Sequence, residues 1–377
     1  MIFMNEKIFA INPGSTSTKI GLFEGEKLIF KQTVSHDATI LEQFSKSYDQ
    51  LDYRKETVMN VLKDQGVDIS DCAAFVGRGG GQASCVGGVY EVNDLVLADA
   101  RSGKYADHPA CLGCAIAHEF AELYNVRAYI ANLPSTDEFQ DVARLTGVRG
   151  VYRKSNTHAL NQKEVAMRVA SDMGMNYHDS NFIVAHIGGG VSVTAHRQGR
   201  MVDSNDIING DGPMAPTRTG FIPLKDVIDM CFSGDWSAKE MYQLISKTGG
   251  FVNHLGTSDT LEIVQRIEAG DAYAKLVYDA FQYQIAKEIG AMAATLKGRV
   301  DAIILTGGIA NDKSLVANLK DYVGFIAPVI VQAGEFELEA LAAGVLRVLR
   351  KEETALIYTG KPVFSGFNIP DRRRHNG

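Results

Sequence analysis

The sequence has little of what would fix a fold from outside a hydrophobic core. Five cysteines in 377 residues, an odd number, give no disulfide framework. Nine prolines form no proline-rich linker, and no segment is of low complexity. No apolar run is long enough to cross a bilayer, which excludes a helical membrane protein. Basic residues are in deficit: 38 Lys and Arg against 45 Asp and Glu, for a formal net charge of −7. That balance argues against a nucleic-acid partner held by a basic surface. The start, Met1 to Lys7, lacks the charged-then-apolar layout of a signal peptide and passes straight into a strand pattern. These absences together read as a cytoplasmic enzyme with no membrane partner.

What is present is a globular composition, 45% hydrophobic and 22% charged, on a chain long enough for two domains. One pattern occurs twice. Ile8 to Asn12 runs into the small-residue turn Pro13 to Lys19, then Ile20 to Phe23, a tight turn, and Leu28 to Phe30. Phe182 to His186 runs into Gly188-Gly189-Gly190, then Val191 to Ala195, a tight turn, and Met201-Val202. Both read strand, turn, strand, turn, strand. Turns without bulky side chains expose N–H groups and hydroxyls, which suit phosphate. Two of them half a chain apart predict two related domains facing one nucleotide.

Further along, helices are predicted over 50–63, 110–124 and 157–173, the last closing the first half. Strands are predicted over 73–76 and 128–131. In the second half, helices are predicted over 224–232, 238–246 and one long 260–296. Strand 302–305 ends in Thr306-Gly307-Gly308-Ile309, a helix begins near Asn311, and strand 326–331 precedes helix 335–349. Strands followed by alternating helices and strands indicate a mixed sheet covered by helices. The tail from Asp371 to Gly377 reads as a solvated end.

Some of these residues carry candidate chemistry. The glycine pair after strand 302–305 lies where α/β sheets collect ligands, and bare backbone can approach a flat adenosine. Arg78 sits among Gly77 and Gly79 to Gly81, and Arg218 in a similarly bare loop from Gly210 to Gly220. Such cations can reach an anion, and phosphoryl transfer needs positive charge on the moving group and its acceptor. His108, His158 and His186 all lie beside turns or element ends. Cys111, Cys114 and His118 share a helical face, but the small residues around them favour a close-packed helix over a metal or redox centre.

The segments Asn12 to Lys19, Val76 to Gly80, Tyr90 to Asp94, His158 to Lys163, Ala185 to Gly190 and Leu255 to Thr257, with Phe232 to Gly234 and Lys361 to Phe364, resemble the butyrate kinases in order along nearly the whole chain. That family is similar to acetate kinase and belongs to the actin-like ATPase superfamily. The resemblance implies an α/β fold of two duplicated ribonuclease-H-like domains with mixed β-sheets, 1–180 on the acyl side and 181–377 on the nucleotide side, and an ATP cleft between them. It leaves open a return of the last segment onto the first domain. It implies ATP- and Mg2+-dependent phosphorylation of a short-chain carboxylic acid, butyrate or a branched relative, by a homodimer or higher homo-oligomer. An acetate or propionate kinase, or a degenerate nucleotide-binding sensor, is the alternative.

Carried over residue by residue, the resemblance puts Asn12, Ser15, Ser17 and Lys19 at the first phosphate turn. His186, Gly188, Gly189 and Gly190 form the second, and Gly307 and Gly308 lie by the adenosine. Arg78 and Arg218 flank the carboxylate and the moving phosphoryl group, His158 hydrogen-bonds that group, and His108 is a further active-site histidine. Glu335 and Glu337 are the two candidates for the acidic residue near the metal. Where the family has an aspartate, at the end of strand 128–131, this chain has Asn132. That residue either still serves the metal through its amide or merely caps the strand and faces away. The segment Gln82 to Val86 also departs from the pattern, so the differences gather on the acyl side.

Overall fold

The computed structural model describes residues 6–369. The readings of the first five residues and of the tail from Asp371 therefore lie outside the described residues. Two mixed sheets organise the rest. The first contains β1 (Lys7–Pro13), β2 (Ser17–Glu24), β3 (Lys27–Ser35), β4 (Ala74–Gly77), β5 (Val89–Glu91) and β6 (Arg127–Ala131). The second contains β7 (Asn181–Ile187), β8 (Val191–Arg197), β9 (Arg200–Ser204), β10 (Ala302–Gly307) and β11 (Val329–Ala333). A last two-residue strand, β12 (Leu356–Ile357), returns to the edge of the first sheet. The strand orders are β12-β5-β6-β4-β1-β2-β3 and β11-β10-β7-β8-β9. Each begins with an antiparallel three-strand meander whose first strand then pairs in parallel with a later one, β4 in one case and β10 in the other. The duplicated pattern in the sequence is this duplicated meander.

Both sheets are buried on both faces, so their central strands run apolar through their middles rather than alternating. In β1, Phe9 and Ile11 face one core while Ile8 and Ala10 face another. The Phe9 side is covered by α1 (Leu51–Asp64) and α2 (Leu112–Tyr124), through Val58, Leu62, Leu112, Ile116 and Phe120. Strand and helix approach unusually closely here: a Cβ on Gly77 would lie 1.9 Å from the Gly113 carbonyl oxygen, and one on Gly113 would lie 2.4 Å from the Arg78 oxygen.

The inner faces are covered by exchange. Helix α3 (Ala159–Asp172), predicted to close the first half, instead lays Val165, Ala166, Val169 and Ala170 on Phe182, Val184 and Ile304 of the second sheet. The other face of that sheet carries α5 (Ala272–Thr295) and α6 (Lys313–Val323). Helix α7 (Glu337–Leu349), near the end of the chain, packs Leu338, Leu341, Val345 and Leu346 on Ile8, Ala10, Val76 and Tyr129 of the first sheet. The two crossing helices touch: Arg347 reaches Glu164 (3.6 Å), and Arg168 lies over the Phe336 ring.

The long helix expected over 260–296 is two, α4 (Thr260–Glu268) and α5. Gly270 turns the chain with φ +94°, and the Asp271 carboxylate caps the new N-terminus from the N–H groups of Tyr273 and Ala274. The helix expected from Ala238 runs to Gln243 and widens into a π-turn over Leu244–Thr248.

Candidate active site

The first turn leaves β1 at Asn12 and re-enters the sheet at Ser17. Asn12 donates through Nδ2 to Glu337 Oε2 at 2.5 Å. Lys19, on β2, holds its ammonium 3.7 Å from Glu335. Arg78 follows β4, its backbone N–H bonded to Ile11 O at 2.8 Å. Its Nη1 pairs with Glu337 Oε1, while its Nε is buried without a partner. Burial pushes the Glu337 carboxyl up, but Arg78, Asn12, Lys19 and His186 outweigh it and hold its pKa below the ordinary range. The start of α7 thus carries an ionised carboxylate across to the strand ends of the first sheet.

The second turn follows β7. His186 is the last residue but one of the strand, and Gly188 N bonds Gly190 O at 3.0 Å. Arg218 brings its Nη1 against Gly190, where a Cβ would fall 1.5 Å from it, and that Nη1 is buried and unpaired. His158, at the head of α3, stacks on His186 with ring centroids 3.9 Å apart and planes at 14°. His158 Nδ1 meets Ser192 Oγ at 2.8 Å. Asn161 Nδ2 lies 3.0 Å from His186 Nδ1. An amide N–H can only donate there, so the proton of the neutral ring sits on Nε2. Burial, aided by each other's proximity and by the two arginines, holds His158 well below its usual pKa; burial lowers His186 to about 4 despite Glu337. Both rings are neutral at pH 7, a neutral surface within the field of Arg78 and Arg218.

Asn132 directly follows β6, with φ 39°. Its Oδ1 accepts from Gly88 N at 2.9 Å, and its own N–H donates to Gly88 O. It ties the strand end and also lines a small cavity, so it does not face away. The cavity's lining includes Arg78, Asn132, Pro134, Thr157, His158, Leu160 and the Glu337 carboxylate. Its wall is part apolar, through Pro134 and Leu160. Thr157, 2% exposed, holds a hydroxyl there with no partner.

The structure therefore gathers Asn12, Lys19, Arg78, Asn132, His158, His186, Glu335 and Glu337 around one cleft, with Arg218 on the second glycine turn. Ser15 is exposed and Ser17 half-buried on the first turn. His108 is exposed and set at the rim: its Nδ1 accepts from Ala110 N, and desolvation with the fields of Arg78 and Arg54 lowers its pKa. Gly307 presses on the Ile187 backbone, 2.3 Å from a would-be Cβ, whereas Gly308 faces open space. Cys111 and Cys114 are buried, and burial raises their thiols to about 11 and about 12. Among the described residues no group of three or more His, Cys, Asp and Glu could hold a metal ion alone.

Three participants were not anticipated from the sequence: Arg54 beneath the first turn, Asn161 behind His186, and Thr157 in the cavity. Arg54 had a signal. It stands four residues before Val58 and eight before Leu62, on the apolar stripe of α1 rather than its solvent face.

Two mixed sheets that open on the same meander thus bring arginines, a carboxylate and paired histidines to one cleft. Known proteins narrow this. The acetokinase family model matches residues 131–325. A probable butyrate kinase of Clostridium botulinum is 48% identical over 355 residues, covering 94% of this chain and all of that protein. The crystal structures of Porphyromonas gingivalis acetate kinase (TM-score 0.76, 20% identity, 91% of this chain and 99% of that one) and of a propionate kinase from Francisella tularensis (0.73, 17%, 90% and 98%) share the fold. The chain belongs to the acetokinase family, phosphotransferases with a carboxyl group as acceptor.

Proposed function

We propose that this protein catalyses the reversible, ATP-dependent phosphorylation of butyrate or a branched four- or five-carbon relative, giving the acyl phosphate and ADP. The observation that carries this reading is the 48% identity to a probable butyrate kinase along that protein's whole length. The geometry supports it. The cavity is water-sized as it stands, about 10 Å³, so it must widen for the acid to set its alkyl chain toward Pro134 and Leu160 and its carboxylate toward the unpaired Nε of Arg78. ATP lies on the second-domain side, its phosphates between the turns at Gly14–Ser17 and Gly188–Gly190. The carboxylate is already ionised at pH 7, so no general base is needed. It attacks the γ-phosphorus in line. Arg78 and Arg218 stabilise charge on the three equatorial oxygens, and neutral His158 and His186 offer N–H groups without adding charge.

The donor set suits Mg2+, which takes one or two carboxylates, waters and nucleotide phosphates rather than an all-protein cage. Glu335, half-exposed beside Lys19, and Glu337 would serve it. The ion would neutralise charge on the phosphates. We assign the protein to the cytoplasm and to a homo-oligomer, with residues 1–180 forming the acyl side and 181–377 the nucleotide side.

A coupled ADP-release assay over straight and branched acids of two to six carbons, with hydroxylamine trapping, tests the reading. Turnover is expected to peak at four or five carbons, each misplaced methylene being worth ~1–3 kcal/mol. Tight nucleotide binding with no acid giving a trapped product would overturn it.

A further inference from the structure

Arg54 is 0% exposed, yet no carboxylate among the described residues pairs with it. All its contacts are neutral oxygens. Nε donates to Gln50 Oε1 (2.9 Å). Nη1 donates to Gly14 O (2.9 Å), Thr18 Oγ1 (3.3 Å) and Ser17 O (3.4 Å). Nη2 donates to Ser15 O (2.9 Å). Burial lowers its pKa to about 10, which leaves it charged at pH 7. A buried cation without an anion is costly and normally selected against. This one sits directly under the turn from Gly14 to Ser17.

The carbonyl contacts have a geometric consequence. In a trans peptide C=O and N–H point in opposite directions. With the oxygens of Gly14 and Ser15 drawn down to the guanidinium, the N–H groups of Ser15 and Thr16 point up and outward. Neither donates to any acceptor among the described residues. Successive outward N–H groups over a buried positive charge make an anion-binding concavity. Burial is the main cause that lowers His36 and His108, and the same charge adds to it at both rings, after Arg78 at His108.

We infer that Arg54 is the positioning residue of the first phosphate turn, holding its carbonyls inward so that the Ser15 and Thr16 amides face the nucleotide, and that the polyphosphate is the anion its buried charge lacks. The inference rests on the proposed nucleotide cleft but not on which acid is phosphorylated.

The test compares the affinities of ATP, ADP and adenosine by calorimetry for wild type, Arg54→Lys and Arg54→Met. Two charges across a turn, at the effective dielectric of a protein edge, make a tenfold change in phosphate affinity the expected order of magnitude. ATP and ADP should weaken about tenfold or more in Arg54→Met and less in Arg54→Lys, most strongly at low ionic strength, while adenosine binds as in wild type. Equal weakening of all three ligands would reduce Arg54 to a structural support, and unchanged ADP binding would refute the inference outright. Should Arg54→Met not fold, Arg54→Lys carries the same comparison of ADP with adenosine. Wild type that binds ADP but phosphorylates no acid would count against the proposed reaction and leave this inference standing. Wild type that binds no nucleotide would overturn both.

Discussion

At the scale of single residues, the cleft separates groups that hold charge from groups that hold shape. Arg78 and Arg218 each keep a buried nitrogen without a partner. Those nitrogens are aimed at something the protein itself does not supply. Arg78→Ala or Arg218→Ala should therefore lose turnover on the order of a hundredfold or more while ADP affinity changes far less; steady-state kinetics beside calorimetry measures the split. Asn132 is a subtler case. An aspartate there would still accept the Gly88 N–H bond, so Asn132→Asp preserves the strand end and adds one negative charge to the cavity wall. The expected outcome is a lower magnesium concentration for half-maximal rate, read from a metal titration of the two proteins. Superimposable titrations would make the asparagine a strand-end fastening only.

Elements were legible in the sequence where their own pattern decided them. The two meanders announced themselves because each strand run was apolar and each turn was small and polar. Helices over 51–64, 112–124 and 337–349 followed from their apolar stripes within one or two residues. The break between α4 and α5 was missed because the apolar period continues across Gly270, and only the glycine and its capping aspartate mark the stop. The site divides likewise. Residues on repeated glycine turns and the isolated arginines could be found from local composition. Asn161 and Thr157 could not, since their roles depend on α3 crossing to the second sheet. One element-scale contact bears directly on the cleft. Gly113 of α2 meets the backbone of Arg78, and Gly113→Ala must push helix and strand apart. Overpacking of this kind costs about 1–3 kcal/mol. Here it should also lower turnover, because the displaced residue is Arg78; denaturation curves and rates on the same variant check both.

At the scale of the whole molecule, buried neutral histidines tie stability to pH. His36 and His186 titrate at about 4, and His158 and His196 well below the ordinary value of 6.5, all mainly through burial. Between pH 6.5 and 4 the unfolded chain binds more protons at these positions than the folded one, so stability falls as pH falls. Glu288, raised to about 7 by burial and by Asp211, acts in the opposite sense. With His108, also lowered, five histidines stand against one glutamate and leave a net loss, and urea midpoints should decline steadily from pH 7 toward pH 4.5. A flat profile would mean the histidines are hydrated in solution.

The exchange of α3 and α7 between the sheets has a consequence for how the chain can be divided. Cut after residue 180, each half keeps a sheet, the first without its edge strand β12, and donates its cover to the other. The first fragment carries Val165, Ala166, Val169 and Ala170 with no surface of its own to receive them, and the second carries Leu338, Leu341, Val345 and Leu346 in the same condition. Made separately, residues 1–180 and 181–377 should be insoluble or aggregate. Made together, they should find each other and regain turnover without a covalent link, as two parts of a clasp do. Co-expression with a tag on one fragment, followed by recovery of the other and an activity assay, reads this directly. Two fragments that each fold alone would mean that the crossing helices are ornaments on independent domains rather than the joint between them.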